Sequence, residues 1–125
     1  MNTFQIKIVV VVLIAIVVFI SGYWLNKLGK PYNTIVLTAH KLISFGISVY
    51  IVIMCYQLNK TETFASIEYG LFISMLIVFI SAIASGGFLS SNNQIPSFVQ
   101  IIHRVSSIAS VIFTGILIYL LRARL

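Results

Sequence analysis

Hydrophobic residues are grouped into four long runs along the chain, and polar residues gather between those runs. Each run holds about 20 predominantly apolar residues, the length that a helix needs to cross roughly 30 Å of hydrocarbon. The first run has the length of a signal-peptide core between residues 8 and 20, but its apolar character continues through Leu25, so we expect it to be retained. The pattern predicts four transmembrane helices, over residues 4–26, 34–57, 64–88 and 97–121.

The runs are connected by three short polar segments, 26–33, 57–63 and 90–96. Asn33 or Thr34 is suited to cap the second helix, and the segment 61–63 is suited to cap the third. Short loops join antiparallel neighbours. We therefore expect a single domain over residues 1–125, an all-α membrane protein folded as an up-down-up-down four-helix transmembrane bundle.

Composition agrees with a membrane protein and argues against a nucleic-acid partner. Hydrophobic residues make up 60% of the chain and charged residues 8%, whereas a soluble domain of this size would need far more polar surface. The net charge is +6, but the basic residues lie mostly at span ends, where they reach toward lipid headgroups. No stripe of them could follow a phosphate backbone, so the lipid bilayer is the expected partner.

The chain has two histidines, and both lie inside predicted spans in matching motifs. His40 begins the heptapeptide HKLISFG, and His103 begins the heptapeptide HRVSSIA. Ser44 and Ser107 share the 63-residue offset of the two histidines, and each histidine lies about six residues into its span. An ionisable side chain inside a membrane span is a functional-site hypothesis by default. The matched pair suggests one shared ligand.

An iron porphyrin suits this arrangement. In an up-down bundle the second and fourth helices are diagonal partners, roughly 11–14 Å apart when neighbouring axes are about 8–10 Å apart. Two imidazoles can bind one haem iron from opposite sides across such a gap. Small residues at the same depth leave room for the ring, and they include Ser21, Gly22, Ser44, Gly46, Ser107, Ala109 and the segment 81–87. We predict metal ligation by His40 and His103, and cofactor contacts from Gly22, Gly86, Ser44 and Ser107.

A basic residue follows each histidine and places a cation near a helix N-terminus. Lys41 and Arg104 therefore oppose the helix dipole, and an anionic group should offset this cost. Haem propionates would do so, which makes Lys41 and Arg104 predicted cofactor-binding residues. Lipid phosphate and an anionic substrate are the alternatives.

Other interpretations of the histidines are hydrogen bonding to backbone or serines, and binding of a different metal. Zinc is disfavoured because no cysteine or carboxylate is available at that depth to complete a tetrahedral site. The single cysteine, Cys55, is expected to be a small buried hydrophobe. No nucleophile–base pair and no phosphate-binding loop is visible in the sequence, so we assign no catalytic residue.

In span count, loop lengths and paired intramembrane histidines, His40 and His103, the chain resembles the small four-helix transmembrane b-type cytochromes, including quinol-oxidising bacterial members. This resemblance implies electron transfer through haem b in a bacterial cell membrane, with a quinone as a candidate partner. An enzyme of this kind would be a quinol-linked oxidoreductase. Two-haem members use four histidine ligands and this chain has two, so we expect one bis-histidine haem per protomer. The redox partner protein, a homodimer and a larger membrane complex are left open.

Basic residues give a weak indication of orientation. One side has Lys27 and Lys30, with Lys41 and Arg104 reaching toward it. The other side has Lys7, Lys60, Arg122 and Arg124, offset by Glu62. Loop and tail counts favour cytoplasmic termini, with the histidines near the outer face.

The rival function is a haem-free small transporter or a structural subunit of a membrane complex. Small multidrug exporters also have four spans, but they depend on a carboxylate in the first span, and none is present here. Glu68, near the start of the third span, is expected to be an interfacial acid paired with Lys60 or Arg122. A proton relay and a subunit contact are the other interpretations of this carboxylate.

Overall fold

The computed structural model describes residues 1–91 and 94–123. The regular secondary structure of these residues is α-helical. Its elements are α1 (Thr3–Leu28), α2 (Thr34–Thr61), α3 (Ser66–Ser91) and α4 (Ser97–Arg122). No strand occurs within these described ranges. The predicted all-α class with four helices is confirmed.

All four helices are long and apolar enough to cross a membrane. Three of them have 26 residues and α2 has 28. At about 1.5 Å per residue, even the shorter helices exceed the roughly 30 Å hydrocarbon core. The chain is therefore an integral membrane protein, as the hydrophobic pattern predicted.

The predicted helix starts at residues 34 and 97 match the structure, but the second connection is shorter than expected. Helix α2 continues through the polar residues after position 57 and ends at Thr61. The ammonium of Lys60 lies 4.7 Å from the centre of the Tyr56 ring, a cation–π contact that suits the last turn of a helix. The predicted loop over 57–63 is therefore wrong over residues 57–61, because polar residues at a span end can extend the helix.

Polar side chains fix where α1 and α2 begin. The side chain of Asn2 accepts a hydrogen bond from the Gln5 backbone, and the Gln5 side chain accepts one from the Asn2 backbone, which together form a capping box for α1. Asn33 Oδ1 accepts hydrogen bonds from the backbone nitrogens of Ile35 and Val36. Of the two predicted caps for α2, Asn33 and Thr34, the structure thus has Asn33 in the capping role.

Helix α3 is capped differently from the prediction. Its first backbone bond runs from Tyr69 to the Ala65 oxygen, and the Glu68 carboxylate accepts a 2.6 Å hydrogen bond from the Ala65 nitrogen. Thr61 instead donates to the Leu58 oxygen at the end of α2. The predicted cap at 61–63 is wrong, since an acid in the first turn satisfies the free backbone donor.

The chain divides into two compact units, Met1–Ile51 and Val52–Leu125. The first contains α1 and the N-terminal part of α2, and the Ser21 side chain contacts His40 within it. The second contains the rest of α2 with α3 and α4. Arg124, one of the basic residues used for the predicted orientation, lies outside the described residues, as do positions 92 and 93 of the last connection.

Helices α3 and α4 of the second unit pack along each other in opposite directions. Ser81 contacts Ser106, whereas Ser85, further along α3, contacts His103, which lies earlier in α4. The buried side chains of this unit are mostly large and apolar, and they comprise Met54, Cys55, Phe64, Met75, Phe79, Leu117 and Leu121. The buried side chains of this unit thus come from α2, α3, α4 and the connection before α3, and Cys55 is buried among them as the sequence predicted.

Candidate functional site

His40 lies six residues after Thr34, where α2 begins, and its ring is held by a serine of α1. The Nδ1 atom of His40 is 2.9 Å from Ser21 Oγ. Ser21 donates its single hydroxyl hydrogen to the Val18 oxygen, also at 2.9 Å. The serine oxygen must therefore accept from Nδ1–H of the imidazole. In the neutral ring this leaves the lone pair on Nε2.

His103 occupies the same position in α4, six residues after Ser97, and its ring is held by α3. Its Nδ1 atom lies 2.9 Å from the Ala82 oxygen and 3.3 Å from Ser85 Oγ. A carbonyl oxygen can only accept, so Nδ1 carries the hydrogen. Ser85 directs its own hydroxyl hydrogen to the Ser81 oxygen at 2.6 Å, which leaves its oxygen as a second acceptor. The neutral His103 ring likewise has its lone pair on Nε2.

A glycine next to each serine forms the surface against which the imidazole packs. A methyl group added at Gly22 would lie 3.0 Å from Cε1 of His40, and one at Gly86 would lie 2.9 Å from Cε1 of His103. Distances this short are not tolerated between carbon atoms without movement. Only glycine at these two positions allows the rings to approach the neighbouring helix so closely.

Two similar groups of residues result, one in each unit. The first histidine cluster is Ser21, Gly22 and His40, and the second histidine cluster is Ala82, Ser85, Gly86 and His103. In both, a Ser-Gly pair near the end of one helix holds a histidine near the start of the next. The serine and histidine are 19 residues apart in the first cluster and 18 in the second. The resemblance between the two halves therefore extends to three-dimensional contacts.

Hydrogen bonding of the histidines to backbone or serines was one of the interpretations left open by the sequence, and the structure shows such contacts, but the particular serines were not predicted. Ser21 and Ser85 were recognised only as small residues that leave room at the depth of the histidines. The available signal was the Ser-Gly dipeptide, which occurs at positions 21–22 and 85–86 with almost the offset of the histidines. Gly22 and Gly86, which were predicted to contact a cofactor, are found against the histidine rings themselves.

Ser44 and Ser107, which lie one helical turn after the histidines and were predicted to contact a cofactor, have different surroundings. Ser107 donates a 2.7 Å hydrogen bond to the His103 oxygen. The Ser44 oxygen is buried and has no partner within the described part of the chain, a condition shared by Thr114 Oγ1. A buried hydroxyl without a partner costs about 1–3 kcal/mol, so a group bound beside Ser44 would be stabilised by it.

Lys41 and Arg104, the predicted propionate-binding residues, are exposed, whereas the preceding histidines are half-buried. Each basic side chain is therefore exposed on its helix and directly follows a half-buried histidine in the sequence. Exposure of this kind agrees with both main alternatives from the sequence, contact with lipid phosphate and contact with an anionic group of a bound cofactor.

Glu68 is buried, with 3% of its surface exposed. Its carboxylate accepts the Ala65 N–H at the start of α3, which assigns it a capping role. Nearby, Asn59 Oδ1 accepts from the Phe64 nitrogen and from the Tyr69 hydroxyl. The connection between α2 and α3 is thus fixed by side chains from both helices.

The donor set limits which metals the clusters could hold. The full sequence has two histidines, two acidic residues and one cysteine. Among the described residues, no three His, Cys, Asp or Glu side chains form a group suited to a metal ion. Structural zinc sites need four such ligands and catalytic sites three, whereas a bis-histidine haem needs two.

No protein-family model, curated protein or solved structure matches this chain. Its function is therefore inferred from the chemistry of the two histidine clusters.

Proposed function

We propose that this protein is a membrane b-type cytochrome that transfers electrons through one haem b, with His40 and His103 as axial ligands. The observation that carries the proposal is the direction of both imidazoles, whose Nδ1 atoms face oxygen acceptors at 2.9 Å. Histidines that bind metals usually donate their second ring N–H to such an acceptor, which fixes the ring and raises its basicity. The Nε2 lone pairs are then suited to iron.

The residues of the chain fit this cofactor. Haem b supplies reversible one-electron chemistry when it is bound. His40 and His103 would hold the iron, and among the described residues no group of three His, Cys, Asp or Glu side chains suits another metal ion. The unpartnered Ser44 hydroxyl beside His40 and the glycines behind the rings agree with a compact cofactor site in a dry environment.

Each neighbouring residue has a definite task under this proposal. Ser21, Ala82 and Ser85 hold the imidazoles with Nδ1 protonated. Lys41 and Arg104 offset the charge of the two propionates near the membrane surface, where exposed cations retain contact with water. Haem held by both histidines would supply electron transfer and would have no coordination position left for oxygen.

Further details of the proposal come from the resemblance to quinol-oxidising cytochromes and from charge distribution. A quinol is the candidate electron donor, since Lys41 or Arg104 could polarise a quinone carbonyl, and the reaction would be that of a quinol-linked oxidoreductase. The protein would lie in a bacterial cell membrane with cytoplasmic termini. A homodimer or a larger complex would bring in the redox partner.

Haem stoichiometry tests the proposal. The protein would be expressed with ample haem, purified through an affinity tag that contains no histidine, and assayed for haem per polypeptide. We expect one haem per chain for the wild type and for the control Ser74→Ala, whose hydroxyl bonds only within its own helix. The double variant His40→Ala/His103→Ala should bind none. Wild-type protein without haem would refute the proposal.

A haem-free structural role is the second candidate, and one observation favours it. Each histidine joins two helices directly, His40 to α1 and His103 to α3, so the rings also act as interhelical hydrogen-bond donors. Such bonds contribute about 0.6 kcal/mol on average in a membrane protein. Colourless wild-type protein that is destabilised by either histidine substitution would support a transporter or a structural subunit.

A further inference from the structure

We infer that one exposed side of helix α1 binds an anionic phospholipid in preference to a zwitterionic one, with the ammonium of Lys27 at the lipid phosphate. This inference goes beyond the proposed electron transfer and does not depend on haem. We call the surface the α1 strip. All of its members are exposed, and they are Leu13, Ile16, Ile20, Tyr23, Trp24 and Lys27.

The α1 strip follows one side of the helix, because its members are three or four residues apart. Its chemistry changes along the helix axis. The three aliphatic members come first, with 50% to 58% of each residue exposed. Tyr23 and Trp24 lie about one turn later, and Lys27 is in the last turn of α1. Aliphatic side chains, amphipathic rings and a cation thus follow one another in the order of the acyl chains, interfacial region and phosphate of a phospholipid.

The charge of this part of the chain favours an anionic lipid. Residues 1–51 contain four lysines and neither aspartate nor glutamate. The C-terminal end of a helix carries a partial negative charge, which repels a phosphate. The attraction therefore comes from the lysine side chain and not from the end of α1. One lysine near an anionic membrane surface raises binding by about fivefold.

Helix α3 provides an internal comparison, because the two Ser-Gly pairs that contact the histidines are 64 residues apart. At the same offset, Gly87 and Ser91 take the places of Tyr23 and Lys27, and both are exposed. Ser91 donates its hydroxyl hydrogen to the Phe88 oxygen of its own helix. The two hairpins therefore share their histidine contacts, whereas the tyrosine and the cation occur on α1 and not at the corresponding positions of α3.

Helix α2 also ends with a tyrosine and a lysine four residues apart, but the surroundings of this pair differ. The ammonium of Lys60 lies 4.7 Å from the centre of the Tyr56 ring, and the acidic Glu62 follows two residues later. Lys60 belongs to the second unit of the chain, whereas the α1 strip belongs to the first. Lys60→Gln is therefore a matched control, because it removes the same charge from the last turn of another helix.

A second copy of the chain is the other occupant that an apolar helix side could bind. Two copies inserted in the same direction would bring their Lys27 side chains against each other at the end of such a contact. Like charges repel, and no acidic residue of the first 51 positions could offset them. A lipid phosphate instead attracts the ammonium, so the α1 strip suits a lipid better than another copy.

Quenching of Trp24 fluorescence by brominated lipids tests the inference, because Trp24 is the single tryptophan of the chain. The protein is placed in mixed vesicles of phosphatidylglycerol and phosphatidylcholine, with bromine on one lipid or on the other. Each signal is divided by that of the same protein in bromine-free vesicles, which removes any quenching by haem. We expect phosphatidylglycerol to bind beside Trp24 about fivefold more strongly than phosphatidylcholine. Equal quenching by the two lipids would overturn the inference, as would protection of Trp24 from both, which would show that protein covers the strip.

Substitutions then assign the preference to Lys27. We expect Lys27→Gln to reduce the preference for phosphatidylglycerol to less than about twofold, and Lys27→Arg to retain it. Lys60→Gln should leave the quenching of Trp24 as in the wild type. A wild-type preference in Lys27→Gln, or a lost preference in Lys60→Gln, would overturn the inference.

Discussion

The Nδ1 atom of His103 lies 2.9 Å from the main-chain oxygen of Ala82, an atom that can only accept a hydrogen bond. This contact assigns a hydrogen to Nδ1 and a lone pair to Nε2 of the neutral ring. His40 reaches the same state through Ser21 Oγ. Two helical hairpins thus present a histidine in the form that metal sites require, which is the physical basis of the proposed haem ligation.

Alanine at either ring-contacting glycine should disturb its histidine. At Gly86 the new methyl group would meet Cε1 of His103 at 2.9 Å, and overpacking of this kind costs about 1–3 kcal/mol. We expect Gly86→Ala to lower stability in a denaturant titration and to reduce haem content, and Gly22→Ala to act in the same way on His40.

Neighbouring glycines provide matched controls. Among the residues that the structure describes, no side chain or distant backbone atom lies within 4 Å of a methyl group placed at Gly87 or Gly46. Alanine there should leave haem binding unchanged and favours the helix by about 0.5–1 kcal/mol. If Gly86→Ala proved as stable and as rich in haem as Gly87→Ala, the close contact with the ring would be wrong.

The bond between Ser81 and Ser106 should show measurable coupling. Their hydroxyl oxygens are 2.9 Å apart across the α3–α4 interface, and Ser106 is buried. A double-mutant cycle with Ser81→Ala and Ser106→Ala should give a coupling energy of about 0.6 kcal/mol. Ser110→Ala is the control, because its hydroxyl bonds to the Ser107 oxygen of its own helix. Additive effects would show that the two hydroxyls do not interact.

Substitution of Glu68 should lower the stability of the protein and leave the proposed electron transfer unaffected. The carboxylate accepts the Ala65 N–H, and loss of a helix cap costs about 1 kcal/mol. We expect Glu68→Ala to be destabilised by about that amount, Glu68→Gln by less, and the exposed control Glu62→Ala hardly at all. A normal unfolding midpoint with a changed rate of haem reduction would instead assign Glu68 to proton transfer.

Neutral substitution of Lys41 or Arg104 should lower the reduction potential of the bound haem. A nearby cation favours the reduced state, which carries less positive charge. Redox titration of Lys41→Gln and Arg104→Gln should show this decrease, and Lys60→Gln, at the other end of α2, should not. Unchanged potentials in both variants would indicate that the two cations contact lipid phosphate instead.

Much of the fold could be predicted from the sequence because membrane thickness dictates helix length. The starts of α2 and α4 and the Asn33 cap were correct. The errors concern helix ends that depend on individual side chains. Helix α2 extends to Thr61 through residues that are polar enough to suggest a loop. Glu68 caps α3 from within the first turn of that helix. Hydrophobicity alone does not mark these ends.

The histidines could be predicted from the sequence as a matched pair, and serines or backbone were among their possible hydrogen-bond partners, but the particular partner residues could not be predicted. Ser21 and Ser85 lie on other helices, and their contacts depend on how each hairpin packs. The contact of Gly22 and Gly86 with the histidine rings depends on the same packing. A glycine in a sequence does not indicate which side chain packs against it. The Ala82 oxygen has no signal at all in the sequence, because every residue has a carbonyl group.

The difference spectrum of dithionite-reduced minus oxidised protein tests the central claim most directly, with His40→Ala and His103→Ala measured beside the wild type. We predict sharp low-spin b-type bands for the wild type, and their loss in each single variant, because removal of either axial ligand leaves the iron without its bis-histidine coordination. A wild type without such bands after expression with ample haem, or bands that persist in either variant, would contradict ligation by His40 and His103.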